Sequence, residues 1–217
     1  ESFEYSLEIG SSYIETDVQL SADGIPYIFH DDDLSRLFGK DIRFNSLHSN
    51  EINKLMLFDK YKIPKLETVL EKFPKTFFQI DVKTDEVTRP AMKIIKEANS
   101  LDRVCIASFS SKRLKLVGNL YPEVCLSMGP KETIKLFFAS FGLYKKKIPG
   151  DCLQIPIYQY GIKLATKRFV KYVQGIGLKI HVWTINDEDT MQKLIDLGVD
   201  GIITDRPKAL KDLLSNR

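Results

Sequence analysis

The chain has 217 residues, 43% of them hydrophobic, and its 32 Lys and Arg against 29 Asp and Glu leave a formal charge of +3. That length and apolar content suit one sizeable core and exclude a disordered or fibrous protein. Charge is spread evenly apart from Lys145, Lys146 and Lys147, which excludes a nucleic-acid footprint.

Hydrophobic spacing switches between helical and strand-like periods along the whole chain. Residues 2–9 read as a helix and 13–20 (YIETDVQL) as a strand, after which a DG turn at Asp23 and Gly24 leads into a short strand over 25–30. Helix 65–72, strand 76–83 (TFFQIDVK), helix 87–99, strand 103–109 and helix 111–120 follow. The remainder reads as strand 123–128, helix 131–142, strand 151–155, helix 166–175, strand 178–185, helix 187–197, strand 200–204 and helix 207–215. No linker or internal repeat divides the series, so residues 1–217 are expected to form a single domain. Leaving aside the excursion at 25–30, strands each followed by a helix suit an α/β fold of the TIM (β/α)8 barrel type, one strand short at the front. An open doubly wound sheet competes, but the Gly-rich phosphate turn it needs after its first strand is absent. No run approaches the roughly 18 apolar residues of a membrane-spanning helix. Cys105, Cys125 and Cys152 are far apart with no CxxC, and read as small buried apolar residues, which favours a reducing compartment.

Side chains alternate faces along a strand, so Glu15, Asp17 and Gln19 share one side of YIETDVQL while Ile14, Thr16 and Val18 share the other. The same parity groups Gln79, Asp81 and Lys83 in TFFQIDVK. In a barrel the polar sets turn inward, towards the C-terminal mouth where active sites lie. Three inward carboxylates with one lysine cannot all stay ionised in a low-dielectric interior without a further cation. Mg²⁺ or Ca²⁺ on Glu15, Asp17 and Asp81 would satisfy the all-oxygen set; an inward salt-bridge cluster is the alternative. His30 closes the short strand ahead of Asp31, Asp32 and Asp33, which could orient the imidazole or raise its pKa, and is a candidate general acid or base. His48, in SLHSNE, reads as a solvated loop residue, and His181 as a packed strand residue on the face of Trp183.

The stretch IETDVQLSADGIPYIFHDDDLSR resembles the signature of the glycerophosphodiester phosphodiesterase family, with its E-x-D strand, DG turn and HD pair. IPKLETVL (63–70), IDVK, HVWTIN (181–186) and GVDGIITDRP (198–207) match in the same order. The resemblance implies a barrel that hydrolyses glycerophosphodiesters to glycerol 3-phosphate and an alcohol with a divalent metal, Mg²⁺ or Ca²⁺. It puts the metal on Glu15, Asp17 and Asp81, the last standing where most members carry Glu, and makes His30 and Lys83 catalytic and Trp183 substrate-binding. Family members open with a His-Arg-Gly motif on the first strand, and this chain is expected to start just after it, incomplete at its N-terminus and inactive as a fragment. The apolar TIKLFFASFGLY segment and its three lysines are similar to the lysophospholipase D type branch, which implies lysophospholipid substrates and a peripheral membrane contact. A packed barrel helix with a solvated basic cap is the plainer reading of those residues. A non-catalytic relative that holds a metal or a phosphodiester is the rival from another class. The expected partner is a small-molecule substrate and not nucleic acid, and the expected location is cytoplasmic or peripheral to a membrane.

Overall fold

The computed structural model describes residues 1–215. It contains two compact units, one of Glu15–Val124 and one of Glu1–Ile14 with the chain from Cys125 onward.

The first unit is organised by the strand Tyr13–Leu20, whose buried Ile14, Thr16 and Val18 alternate with more accessible residues up to Asp17. After Leu20 the chain turns at Asp23 and Gly24, and Gly24 takes a positive φ of 82° that an L side chain would strain. The turn is closed by Ser21, whose hydroxyl accepts from the Ile25 amide at 2.9 Å and whose carbonyl accepts from the Gly24 amide. Pro26–Ile28 then returns antiparallel, with Val18 opposite Ile28 and Leu20 opposite Pro26. Continuing that register, the Phe29 amide donates to the Asp17 carbonyl at 3.1 Å, so the hairpin brings His30 back alongside the carboxylate strand. Hydrogen-bonded strands run in the order Pro26–Ile28, Tyr13–Leu20, Phe77–Val82, Val104–Ala107, the last two parallel with Asp81 opposite Ala107.

The segment between His30 and Ile63, in which the sequence shows no regular element, folds on a small core of its own. Tyr27, Phe29, Leu34, Phe44, Ile52 and Ile63 are buried together, Phe29 stacked on Phe44 at 4.5 Å between ring centroids. Short helices Ser35–Phe38 and Ser49–Ile52 and a two-residue hairpin, Met56–Leu57 with Tyr61–Lys62, make up the rest. His48 is exposed, as expected, but it is the N-cap residue of Ser49–Ile52, its amide donating to Glu51 Oε2 at 2.9 Å.

The second unit has parallel strands in the order Gly201–Ile202, Lys179–Val182, Cys152–Ile155. Leu153, Ile155, Ile180 and Val182 pack with Phe169, Val170 and Val173 of the helix Lys167–Gly175 and with Met191 and Leu194 of Glu188–Leu197. The Thr166 hydroxyl and the Asp187 carboxylate cap these two helices, and Gly198 ends the second with φ 81°. Strands are shorter than their apolar runs predict: 123–128 reduces to Cys125–Leu126, 178–185 to Lys179–Val182, 200–204 to Gly201–Ile202, 103–109 to Val104–Ala107 and 25–30 to Pro26–Ile28. Apolar composition marks burial, whereas a ladder needs a partner at every residue. Cys105 and Cys152 are buried, as read; Cys125 is only half-buried.

Candidate active site

Strand parity delivers part of the expected set. Asp17 and Asp81 converge on Lys83, whose Nζ lies 2.6 Å from Asp17 Oδ1 and 3.5 Å from Asp81 Oδ2. Asp81 and Lys83 sit where the strand Phe77–Val82 ends, because the Thr84 hydroxyl accepts from the Val87 amide and starts the helix Asp85–Glu97. Glu15 is exposed two residues ahead of Asp17 on the same strand. Among the described residues no three carboxylates approach within 4.8 Å of one another, so two of the three expected ligands are drawn together, with the lysine between them.

Asp81 is 6% exposed. Burial drives its carboxyl up to about 6, Asp17 adds to the rise, and Lys83 and Arg113 oppose it. Burial also works against the Lys83 ammonium, yet the hydrogen bond and charge of Asp17, together with the charge of Asp81, hold it above the ordinary lysine range. One lysine thus stabilises two carboxylates incompletely. Asp81 Oδ1 shows the deficit directly, being buried without a hydrogen-bond partner. A hard oxygen-seeking divalent cation fits this set: it would engage the orphaned oxygen and remove the cost of ionising Asp81.

The imidazole arrives from the loop. His30 Nδ1 lies 2.7 Å from Asp31 Oδ1, and Arg36 binds the same carboxylate through Nε at 2.8 Å and Nη2 at 3.0 Å. Burial raises the Asp31 carboxyl, but the hydrogen bonds and charges of Arg36 and His30 outweigh it and hold the group below its ordinary range. His30, Arg36 and Lys83 line one open cleft of about 530 Å³ with Asp31, Asp32 and Ser35. Asp33 is occupied in accepting from the Ser35 amide at 2.8 Å.

Three residues act here that sequence reasoning did not single out. Gln19 continues the Glu15–Asp17 parity row and reaches the His30 loop, its amide donating to the Asp31 carbonyl at 3.2 Å and to Asp32 Oδ1 at 3.0 Å. Its place in that row was the available signal. Arg36 is the second. Arg113, the third, donates from the helix Ser111–Leu120 to the Val82 carbonyl at 2.8 Å and lies 3.4 Å from Asp85, and nothing in its spacing marks it.

In the other unit, Trp183 follows the strand Lys179–Val182, half-buried, its amide donating to the Ile155 carbonyl at 3.0 Å. His181 lies opposite Gly201. A Cβ at Gly201 would stand 2.8 Å from His181 Cδ2, so this glycine gives the imidazole its space. Burial pushes the His181 pKa down against the pull of Asp200, consistent with a packed ring.

The model of the Glycerophosphoryl diester phosphodiesterase family matches residues 1–209. The chain is 30% identical over 99% of its length to "Probable glycerophosphodiester phosphodiesterase 2" of Mycobacterium tuberculosis, covering 84% of that protein. It is 23% identical, over 99% of its length and 80% of the relative, to human Lysophospholipase D GDPD1. A solved Oleispira antarctica phosphodiesterase, in complex with the product sn-glycerol-3-phosphate, superposes with a TM-score of 0.81 at 22% identity, over 99% of this chain and 90% of that one. The likeness establishes the TIM-barrel-type α/β fold that the strand–helix alternation predicts.

Proposed function

The chain belongs to the glycerophosphoryl diester phosphodiesterase family, and from that premise we propose that residues 1–217 form one phosphodiesterase domain with its working groups on Glu15, Asp17, His30, Asp81, Lys83 and Trp183. It is a phosphoric diester hydrolase that converts glycerophosphodiesters to glycerol 3-phosphate and an alcohol. The observation that carries the assignment of residues is Lys83, which pairs with Asp17 and Asp81 and lines the same cleft as His30.

The family's activity is divalent-metal dependent. Glu15, Asp17 and Asp81 would hold that ion, and the all-oxygen donors favour Mg²⁺ or Ca²⁺. When bound it supplies Lewis-acid polarisation of the phosphodiester. Lys83 adds a fixed positive charge where negative charge develops on phosphorus-bound oxygen. His30 exchanges a proton with the attacking or departing oxygen through Nε2, because Nδ1 is engaged by Asp31. Trp183 offers an apolar face to the substrate.

A second reading concerns the glycerol side of the substrate, which in a lysophospholipid carries an acyl chain. Phe138, Phe141 and Leu143 are exposed, Leu143 by 73%, and the exposed Lys145, Lys146 and Lys147 follow within a few residues. Apolar side chains beside cations suit the interface of an anionic membrane. Together with the likeness to the human lysophospholipase D, this supports lysophospholipid substrates met at a membrane surface. No helix among the described residues is long and apolar enough to cross a membrane, so the proposed contact is peripheral.

Release of choline from glycerophosphocholine and from lysophosphatidylcholine, measured in parallel with Mg²⁺, Ca²⁺ or a chelator, tests both readings. Metal-dependent turnover is expected of the full-length protein, with His30→Ala and Glu15→Ala each losing about two orders of magnitude or more. Preference for the lysolipid would select the second reading. A folded protein that binds metal but turns over neither substrate would leave the non-catalytic binder as the better description.

A further inference from the structure

We infer that Asp31 and Arg36 are a positioning pair for His30, an inference that rests on the phosphodiesterase reading above. Arg36 grips the Asp31 carboxylate along one edge, Nε to Oδ2 at 2.8 Å and Nη2 to Oδ1 at 3.0 Å, and that fork fixes the carboxylate plane. The His30 ring nitrogen then meets the oriented Oδ1 at 2.7 Å. The imidazole and guanidinium side chains are 65% and 63% exposed, whereas the Asp31 side chain between them is 15% exposed. An exposed ion pair contributes little to folding, so a shielded carboxylate gripped at two points and presented to an exposed imidazole is better explained by orientation than by stability. The Asp31 main chain is fixed as well, its carbonyl accepting from Gln19.

The chemical consequence is a chosen tautomer. A carboxylate facing Nδ1 keeps the proton of the neutral ring there and leaves Nε2 as the exchanging atom. The other charged groups of the cleft are engaged elsewhere: Asp32 accepts from Gln19, Asp33 from the Ser35 amide, and Lys83 serves Asp17 and Asp81. Asp31 is therefore the carboxylate that sets the ring, and Arg36 acts through it without touching substrate.

The test combines ¹⁵N-histidine NMR of the substrate-free protein with steady-state kinetics of Asp31→Asn, Arg36→Ala, Arg36→Lys and the double variant Asp31→Asn/Arg36→Ala. The Nδ1-protonated tautomer is expected to dominate at His30 in the parent and to lose population in Asp31→Asn and Arg36→Ala. Arg36→Ala is expected to lower kcat about tenfold, a fraction of what acid–base catalysis supplies, with KM unchanged and partial recovery in Arg36→Lys. In the Asp31→Asn background, Arg36→Ala should cost nothing more, the pattern of two residues acting as one unit. Additive losses, or a rise in KM on Arg36→Ala, would overturn the inference by making Arg36 a substrate contact. Unchanged tautomers in variants that melt like the parent would also overturn it. Full activity in His30→Ala would instead remove the phosphodiesterase role of His30 and leave the tautomer result standing.

Discussion

Two parts of the Glu15–Val124 unit do comparable electrostatic work by opposite means. Asp17, Asp81 and Lys83 stand on or just past paired strands; their backbones are held by the ladder and their charges are largely out of water. His30 and Arg36 stand on an irregular segment in contact with solvent, and side chains, not a ladder, set their geometry. Burial makes the first set costly to ionise, so a lysine stands between its carboxylates and a divalent ion is proposed to complete it. Exposure leaves the second set in contact with solvent and without a ladder to hold it, so orientation is what the protein has to supply.

The largest expected effect follows from breaking the buried set. Asp81→Asn should lower divalent-ion affinity, read by calorimetry, by about a hundredfold or more, since even outer-shell partners of a metal site commonly cost tenfold to a hundredfold. The same substitution should change the pH dependence of folding when no metal is present. A carboxyl pushed up to about 6 holds its proton in the folded state at pH values where the unfolded chain has lost it. Its contribution to stability is therefore fully present below about pH 4 and is lost as pH rises through about 6, a span worth about 3 kcal/mol. Denaturant midpoints in chelator should show this fall in the parent and not in Asp81→Asn. Identical slopes would mean that Asp81 is ionised throughout and that burial does not govern its protonation.

Lys83→Met comes next. It leaves two carboxylates facing each other without their shared cation, at a cost of about 2 kcal/mol, less than for a fully buried pair because the lysine keeps some solvent. The cost should be greater at about pH 8 than at about pH 5, where Asp81 can take a proton. Added divalent ion should recover much of the loss. A pH-independent cost would point to lost packing of the lysine stem and not to charge.

The two regions also differ in how much of each is legible in the sequence. Parity alone groups Asp17 with Glu15 and Asp81 with Lys83, because a strand gives each side chain only two faces. The DG turn fixes a hairpin, and the hairpin register brings His30 to Asp17. By contrast, Arg36 meets Asp31 only because the segment after His30 folds over Phe44, Ile52 and Ile63, a core assembled from residues with no shared period. The bond that the Ser35 amide donates to the Asp33 carboxylate was readable in DDDLSR as a local turn. The fork five residues after Asp31 was not, since it depends on where that short helix is anchored. Arg113 escaped for a similar reason: an arginine on an amphipathic helix reads as solvated until the helix is docked.

The smallest effect is expected where the two regions join. Gln19 is 2% exposed and donates from the carboxylate strand into the His30 loop. Gln19→Ala removes two bonds to acceptors that water can reach, so it should cost only about 1 kcal/mol in a denaturant titration. Turnover should drop by a small factor through looser placement of Asp31, while divalent-ion affinity stays at the parent value. That outcome would keep the regions separable, one holding the cation and the other setting the proton. A loss of ion affinity in Gln19→Ala, with turnover restored at saturating metal, would mean that the strand row from Glu15 to Gln19 acts as one unit and that the loop is fixed by other bonds.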